Sequence, residues 1–193
     1  MYDFFLENFK LLHTYCAGPS LILDCKIHLL PSCQVPIIAC ACDDGNVYIF
    51  NLQLVDEQLS CVHSISISGH EDWVRNLAFT VEGDYIQLKY LSNVFFFSTI
   101  ISNIDGGDLL LASSSQDSLI RVWRISQDEN KQQLSTLQST QGKFSVNFNQ
   151  LFKFKCYLET VLQGHENWVY GLHWQEPVKE GKLGFSQHSS TKH

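Results

Sequence analysis

The sequence has little positive charge, with 13 Lys and Arg residues against 20 Asp and Glu and a net charge of −7. A chain with this balance has no global basic field of the kind that grips phosphate backbones, although a local basic patch is not excluded. The sequence also lacks an N-x-[ST] glycosylation site. Its 7 cysteines are odd in number and irregularly spaced, which argues for a reducing compartment rather than a disulfide framework.

Signals for secretion and membrane insertion are also missing. The N-terminus, MYDFFLENFKLLHTYC, carries acids and a Lys within its apolar stretch and has no basic start. The most apolar segment, YLSNVFFFSTIISNI (90–104), contains Ser, Asn and Thr and is shorter than the roughly 20 residues that cross a bilayer. We therefore expect a protein without a membrane span, located in the cytoplasm, with the nucleus as an open second location.

The chain does contain enough apolar material for a packed core, being 45% hydrophobic and 17% charged. Two stretches recur in it almost unchanged: GHEDWVRNLAF begins at Gly69 and GHENWVYGLHW begins at Gly164. A second pair aligns without a gap, IIACACDDGNVYIF (37–50) with LLASSSQDSLIRVW (110–123). Each member of this pair has an apolar run, a tight turn and an alternating stretch, which predicts two strands joined by a hairpin turn.

Joining these pieces in order gives four short antiparallel strands per unit. The unit resembles the WD40 repeat, whose copies form the blades of a β-propeller. The resemblance implies an all-β fold, a partial propeller of about two blades plus the start of a third, with the ring incomplete. We place the blades in residues 37–174, with an interruption at 84–104 and a long loop at 126–157. Residues 1–36 are assigned only weakly, and residues 175–193 are predicted to be a disordered tail.

A buried polar network accompanies this fold in the WD40 family. It joins the His of the Gly-His pair, a Ser or Thr of the second strand, the Asp of the tight turn and the Trp of the third strand. The resemblance assigns these four roles to His70, Ser113, Asp117 and Trp123. The markers of repeat starts are Gly69, Gly164 and His165. Since a half-satisfied buried network costs stability, the four members are expected to act together.

The first unit departs from this pattern. Cys40 stands where the network has its Ser, and Phe50 stands where it has its Trp. No Gly-His pair precedes this unit in the sequence. We therefore expect packing alone to hold the first blade.

His70, Ser113 and Asp117 are also the residue types of a serine-hydrolase triad. That chemistry needs an exposed nucleophile on a strained turn such as G-x-S-x-G, whereas Ser113 lies in LLASSSQ without a glycine. The structural role is therefore favoured, and we assign no catalytic residue, no cofactor and no small-molecule substrate. The hydrolase is kept as the less favoured alternative.

Cysteine and histidine cluster near the first unit, at Cys25, His28, Cys33, Cys40 and Cys42. Zinc sites usually pair their ligands at C-x₂₋₄-C and H-x₃₋₅-H spacings, which this set does not reproduce. Alternate small residues on a strand are more often core, because a free thiol behaves as a small buried apolar group. We predict core thiols and no metal site.

The tryptophans at positions 73, 168 and 174 have two interpretations. Base-stacking platforms are accompanied by a stripe of interleaved Lys and Arg, which the sequence does not show, so packing in the repeat core is predicted for Trp73, Trp168 and Trp174. Polar and aromatic residues beside them are either exposed members of a binding face or ordinary solvated turn residues, and we favour the second interpretation. These residues are Asp72, Asn76, Asn167 and Tyr170.

Three stretches together narrow the resemblance: GHEDWVRNLAF, LLASSSQDSLIRVWRI and LETVLQGHENWVYGLHWQEPV. They resemble the N-terminal propeller of the Elongator complex protein 2 family over roughly residues 37–178. The resemblance implies a non-catalytic scaffold that docks the largest and the catalytic subunits of a complex modifying wobble uridines of tRNA. The expected partners are other Elongator subunits, with tRNA reached only indirectly. Another WD40 adaptor, of the ubiquitin-ligase or chromatin type, is the alternative.

The apolar segment 84–104 lengthens the second unit beyond one compact repeat. Its removal would join NLAFTVEG to DGGDLLLASSSQD and restore a repeat period of about 40–45 residues. We interpret the segment as translated intron or a gene-model error, because an exposed Phe-Phe-Phe run would promote aggregation. The alternative is a genuine surface loop, which a cDNA containing the segment, together with homogeneous soluble protein, would support.

A chain of about two blades leaves blade faces and strand edges without the neighbours that a closed ring provides. We therefore expect the isolated chain to lack independent stability, so that heating the purified monomer gives no cooperative transition. A sharp thermal transition followed by circular dichroism would contradict this expectation.

Overall fold

The structure is a computed structural model that describes residues 14, 20–55, 58–81, 86–90, 97–99, 107–128, 140–148 and 150–175. Within these residues the fold is all-β, as predicted, and no helix there has the length and apolar character needed to cross a membrane. The strands are β1 Ile22–Leu29, β2 Pro36–Cys42, β3 Asn46–Val55, β4 Gln58–Ser68, β5 Val74–Val81, β6 Ile86–Tyr90, β7 Phe97–Thr99, β8 Leu109–Ser115, β9 Ile120–Gln127, β10 Thr140–Phe148, β11 Gln150–Leu162 and β12 Leu172–Gln175. The predicted tail at 175–193 lies outside the described residues, except for Gln175.

The strands form three antiparallel sheets, which correspond to two blades and the beginning of a third. The first blade has the strand order β1-β2-β3-β4, and the second has the order β10-β11-β9-β8-β5. β12 begins the third blade and pairs with β6, which pairs in turn with β7. The described strands leave the ring open, which confirms a partial propeller.

The first blade begins earlier than the sequence indicates. β1 lies within the weakly assigned residues 1–36 and pairs along its length with β2. A register shift between Ile22 and Asp24 breaks the regular alternation of its side chains. This irregularity obscures the period-2 pattern by which a strand is recognised in a sequence.

The prediction of a long loop at 126–157 is wrong over much of its length. β10 and β11 form a hairpin there, and β11 continues as an outer strand of the second blade. Phe144 and Phe154 stack with their ring centroids 5.3 Å apart and belong to the core, whereas Lys143 and Lys153 are exposed. The hairpin also contacts the first blade, since a β-carbon on Gly142 would lie 2.7 Å from the side chain of Ile65. It therefore packs across the outer part of the seam between the two blades.

The interruption at 84–104 is described in part, and the described part is paired. β6 and β7 form an antiparallel pair, with Ile86 opposite Thr99. β6 also pairs with β12, which places Tyr90 opposite Leu172. The counterpart of β12 in the second blade, β5, pairs instead with β8 of its own repeat. The interruption thus lies beside the first strand of the third blade.

Both faces of the second blade are buried, and for that reason every residue of β8, LLLASSS, is inaccessible to solvent. Leu109 and Leu111 belong to the cluster shared with the first blade. Leu110 lies on the opposite face, in a second cluster that contains Val169 and Leu172 at the start of the third blade. Since full burial of one leucine contributes roughly 1.5–3 kcal/mol, these two apolar layers are the main force that holds the blades together.

Polar side chains link the innermost strands of successive blades. Asp24 of β1 accepts hydrogen bonds through its Oδ2 atom from the side-chain amide of Asn76, at 2.9 Å, and from the backbone N–H of Leu77, at 2.8 Å. The Oδ1 atom of Asn76 accepts in turn from the N–H of Leu172, at 3.1 Å. Asn76 therefore connects all three blades, which is a third possibility beside the two that the sequence suggests for it.

The second and third strands of each full blade are joined by a tight turn with one residue in the left-handed region. Gly45 has φ +79° in the first blade, and Ser118 has φ 65° in the second. The Gly45 turn also touches the next repeat, because a β-carbon there would lie 2.8 Å from the carbonyl oxygen of His70. Glycine is thus required at position 45 by both conformation and space, whereas position 118 tolerates a side chain at some conformational cost.

We expect Gly45→Ala to destabilise the first blade by about 1–3 kcal/mol, because alanine adds left-handed strain and a contact that displaces the His70 carbonyl. The matched variant Ser118→Gly should change stability by less than about 1 kcal/mol, since relief of strain offsets the greater freedom of the unfolded chain. Amide hydrogen exchange in β2, β3, β8 and β9 measures both. Equal effects of the two substitutions would contradict the close approach of the blades.

Candidate functional site

The four residues assigned to the WD40 network lie in one hydrogen-bonded chain. The Nδ1 atom of His70 is 2.8 Å from the Oδ2 atom of Asp117, and its Nε2 atom is 2.8 Å from the Oγ atom of Ser113. The indole nitrogen of Trp123 donates to the same Ser113 oxygen at 2.9 Å. This hydrogen-bonded chain joins the loop before β5, strand β8, the β8–β9 turn and strand β9. It therefore ties all the inner connections of the second blade to one another.

The direction of these hydrogen bonds follows from the residues at the two ends of the hydrogen-bonded network. The indole of Trp123 can only donate, and the ionised carboxylate of Asp117 can only accept. Ser113 accepts from the indole and donates its proton to Nε2 of His70. The tautomer with its proton on Nδ1 completes this pattern by donating to Asp117, and the same Nδ1 atom lies 2.8 Å from the Nη1 atom of Arg121. A neutral imidazole satisfies every member of the chain.

Burial of the network keeps the imidazole neutral. Burial lowers the pKa of His70 below its ordinary value, and this effect outweighs the opposing influence of the Asp117 carboxylate. Burial by itself would raise the pKa of the Asp117 carboxyl, but His70 and nearby backbone N–H groups outweigh it and the pKa is lowered. Arg121 donates to the same carboxylate at 2.9 Å. The contact between His70 and Asp117 is therefore a hydrogen bond to a charged acceptor that Arg121 neutralises.

Ser113, His70 and Asp117 also have the hydrogen-bond order of a hydrolase triad. Ser113, however, has no solvent-accessible surface and lies inside β8 rather than on an exposed turn. Its oxygen accepts the indole N–H of Trp123, which lowers its capacity to act as a nucleophile. A substrate carbonyl cannot approach this oxygen in the structure, so the arrangement supports a structural role.

Glycine is needed at the two repeat starts, Gly69 and Gly164, for different structural reasons. Gly69 packs against the network, because a β-carbon there would lie 3.0 Å from the ring of Trp123. Gly164 has φ +125° and nothing within 4 Å of that position, so its backbone conformation is the reason. His165 follows it half-buried in the third repeat, and burial lowers its pKa.

The first blade is not held by packing alone, contrary to the expectation from its sequence. Its turn residue Asp44 accepts hydrogen bonds from the hydroxyl of Tyr48, at 2.6 Å, and from the hydroxyl of Ser20, at 2.8 Å. Tyr48 occupies the position of Arg121 in the gapless alignment. A smaller polar network therefore forms around the same turn. Sequence reasoning missed it because neither a tyrosine nor a serine at these positions belongs to the family pattern.

The cysteine-rich region does not assemble a metal site among the described residues, where no group of three His, Cys, Asp or Glu side chains could hold an ion. Cys40 and Cys42 are buried, as predicted for core thiols. Cys25 is exposed instead, and its sulfur lies 3.8 Å from that of Cys40 on the neighbouring strand. The prediction of core thiols is therefore confirmed for Cys40 and Cys42, and the sequence made no such prediction for Cys25.

Four connections meet on one side of the blades, which we call the upper face: residues 43–45, 69–73, 116–118 and 164–170. The N–H of Gln116 donates to the carbonyl of Trp73 at 3.0 Å, and the N–H of Val169 donates to the carbonyl of Ser115 at 3.1 Å. The first bond joins two connections of the second blade, and the second joins the loop of the third blade to the end of β8. A face built in this way presents its side chains in fixed positions.

Three exposed rings and one guanidinium group form what we call the aromatic patch on the upper face. Its residues are Trp73, Arg75, Trp168 and Tyr170. Trp73 is 41% exposed, Trp168 is 46% exposed and Tyr170 is 58% exposed. The prediction that Trp73 and Trp168 pack in the core is therefore wrong. It is correct for Trp174, which is half-buried and donates its indole N–H to the carbonyl of Ala78 at 2.9 Å.

Two of the polar residues flanking these rings shape the loops. Asp72 accepts the N–H of Trp73 at 2.7 Å, and Asn167 accepts the N–H of Trp168 at 2.8 Å. This side-chain-to-backbone bond is the same in both repeats and fixes each tryptophan in an equivalent position. Asp72 and Asn167 are thus turn residues, as favoured from the sequence, whereas Tyr170 belongs to the exposed patch.

Comparison with known proteins finds one matching family model and several similar proteins that share one name. The family model for the WD domain, G-beta repeat, matches residues 59–124, which contain all four residues of the network. The chain is similar to Elongator complex protein 2 of Danio rerio, with 36% identity over 88% of this chain and 18% of that protein. For the Homo sapiens protein of the same name the identity is 35%, over 89% of this chain and 18% of the relative. For the Drosophila melanogaster protein it is 31%, over 92% and 22% respectively. The chain spans about a fifth of the length of these curated relatives.

Replacing Ser113 tests whether the network is a unit. We expect Ser113→Ala to cost about 1–3 kcal/mol, because it leaves the buried indole of Trp123 without an acceptor. Ser114→Ala is the matched control: Ser114 is equally buried, but its hydroxyl has no hydrogen-bond partner, so the change should cost nothing or stabilise. In the double variant with His70→Ala, the second substitution should cost less than it does alone. Exchange protection of the β8 and β9 amides measures these effects, and strictly additive costs would contradict a coupled chain.

The lowered pKa of His70 predicts a dependence of stability on pH. The unfolded chain takes up a proton near the ordinary histidine pKa of about 6.5, while the folded protein resists that proton to a lower pH. The contribution of His70 is therefore complete above about pH 6.5 and is lost as the pH falls below it. Exchange protection of β8 should decrease as the pH falls below about 6.5, and less so in His70→Asn. An unchanged pH profile in that variant would contradict burial of a neutral imidazole.

Proposed function

This chain belongs to the family of Elongator complex protein 2, a WD40-repeat family, and from that premise we propose that it acts as a non-catalytic scaffold within the Elongator complex. The observation that carries the proposal is the similarity to relatives of that name over about nine-tenths of this chain. In the proposed role the blades dock the largest and the catalytic subunits. The complex then modifies wobble uridines of tRNA, and tRNA meets this chain only through its partners. The proposed location is the cytoplasm, with the nucleus as a second compartment.

The geometry supports a scaffold because the polar groups that resemble catalytic machinery are used internally. His70 and Ser113 hold strands and loops together and have no access to a substrate. Backbone hydrogen bonds tie the loops that carry Trp73 and Trp168 to the second blade, so partner-contacting side chains on them need little ordering on binding. A rigid surface of this kind suits a subunit that positions other proteins.

Affinity purification from cells tests the proposal. The tagged chain is expected to recover the largest and catalytic Elongator subunits, identified by mass spectrometry, and the Ser114→Ala variant should recover them equally. Replacing both Ser113 and Trp123 by Ala disrupts the second blade and should abolish recovery. Depleting the protein should lower the amount of 5-carboxymethyl-type wobble uridine in tRNA. Recovery of ubiquitin-ligase or chromatin proteins in place of these subunits would overturn the assignment to Elongator.

A further inference from the structure

The aromatic patch crosses the seam between the second and third blades. Trp73 lies before β5 of the second blade, and Trp168 and Tyr170 lie before β12 of the third. The Trp168 and Tyr170 rings meet edge to face with their centroids 5.9 Å apart. Trp73 remains exposed although the turn of its own blade binds its carbonyl group. The exposure of Trp73 therefore results from the conformation of its loop, and the equivalent Trp168 is exposed in the next repeat.

The positively charged side chain of Arg75 already lies against two rings of the patch. The guanidinium carbon of Arg75 lies 5.9 Å from the centre of the Trp73 ring and 5.5 Å from the centre of the Tyr170 ring. Cations are attracted to the faces of such rings by their electron density. Arg75 therefore bridges the Trp73 ring of the second blade and the Tyr170 ring at the start of the third.

Charge on the upper face selects the kind of partner. Its four connections contain no Lys or Arg, and their acidic residues are Asp43, Asp44, Glu71, Asp72, Asp117 and Glu166. Asp117 is neutralised within the network by Arg121. The remaining carboxylates exceed the single positive charge of Arg75 in the patch. Such a surface repels phosphate groups and attracts basic side chains.

Glu71 and Glu166 have equivalent positions in the two repeats, each two residues before an exposed tryptophan. Both are exposed on the loops that carry Trp73 and Trp168. Each repeat thus offers one exposed carboxylate and one exposed indole, two residues apart on the same loop. A lysine or arginine can pair with the carboxylate while its charge lies over the ring.

We propose that the aromatic patch and its flanking glutamates bind an extended, lysine- or arginine-containing segment of a partner protein, with one basic side chain at each repeat. Aromatic and arginine residues are enriched in the energetic centres of protein interfaces, and exposed apolar patches mark such sites. A single-stranded nucleic acid would also stack on tryptophans, but its backbone needs a basic groove. The proposal rests on the geometry and charge of the upper face and is independent of membership in Elongator.

Fluorescence anisotropy with the full chain, purified together with any tightly bound partner, tests the proposal. The probe is a fluorescein-labelled peptide of alternating arginine and serine. Probes of alternating glutamate and serine, and of oligouridylate, serve for comparison. We expect the arginine peptide to bind saturably and neither comparison probe to bind. Replacing both Trp73 and Trp168 by Leu should weaken it about tenfold, although the net charge of the protein is unchanged.

Matched variants separate the patch from general attraction to an acidic protein. Leu151→Ser changes an exposed apolar residue on the β11 hairpin and should leave the affinity unchanged. Replacing both tryptophans by Phe keeps an aromatic face and should retain most of the binding. Replacing Glu71 and Glu166 by Gln should weaken binding and reduce its salt dependence. Amide protection of β8 confirms that each variant is folded.

Two results would overturn the proposal. Unchanged affinity in the folded variant with both tryptophans replaced by Leu would show that the arginine peptide is held by net charge alone. Binding of oligouridylate in preference to the arginine peptide would show that the face serves a nucleic acid.

Discussion

The buried imidazole of His70 is the constraint on which the second blade depends. It sits between a hydroxyl and a carboxylate, and each of them is also held by a residue of β9. An unpaired polar group at this depth would cost more than a made bond contributes, so the loop, the strands and the turn must all adopt one arrangement. The same bonds place the loop before β5 against the β8–β9 turn. The geometry of the upper face follows from that contact.

Attachment of one blade to the next relies on a different interaction. Apolar layers on both faces of the second blade supply most of the stabilisation, and Asp24 and Asn76 align the innermost strands across the seams. The carboxylate of Asp24 binds a backbone N–H that the edge strand β5 would otherwise leave unpaired. Blades joined in this way share apolar layers and hydrogen bonds across both seams. A continuous interface suits a scaffold, whose task is to hold partners in a fixed relation.

The pattern of residues predicted the parts of the fold in which each repeat obeys local rules. His70, Ser113, Asp117 and Trp123 could be assigned through the resemblance to the WD40 repeat, and their donor and acceptor groups complement one another. The β10–β11 hairpin was missed although KFSVNF alternates, because a polar stretch outweighed the signal. The network at Asp44 was missed because Ser20 and Tyr48 replace the family residues by others that serve the same acceptor.

The sequence by itself determined the repeat, the hairpin of the second and third strands in each full blade and, through the resemblance to the WD40 family, the members of the buried network. Only the tertiary structure decided which tryptophans face solvent. Trp73, Trp168 and Trp174 all lie in near-identical repeats, and their exposure depends on whether a loop turns outward or a strand packs inward. Likewise, Asn76 gained its role from two strands distant in the chain. Burial and long-range pairing depend on neighbours in space, which a local pattern does not specify.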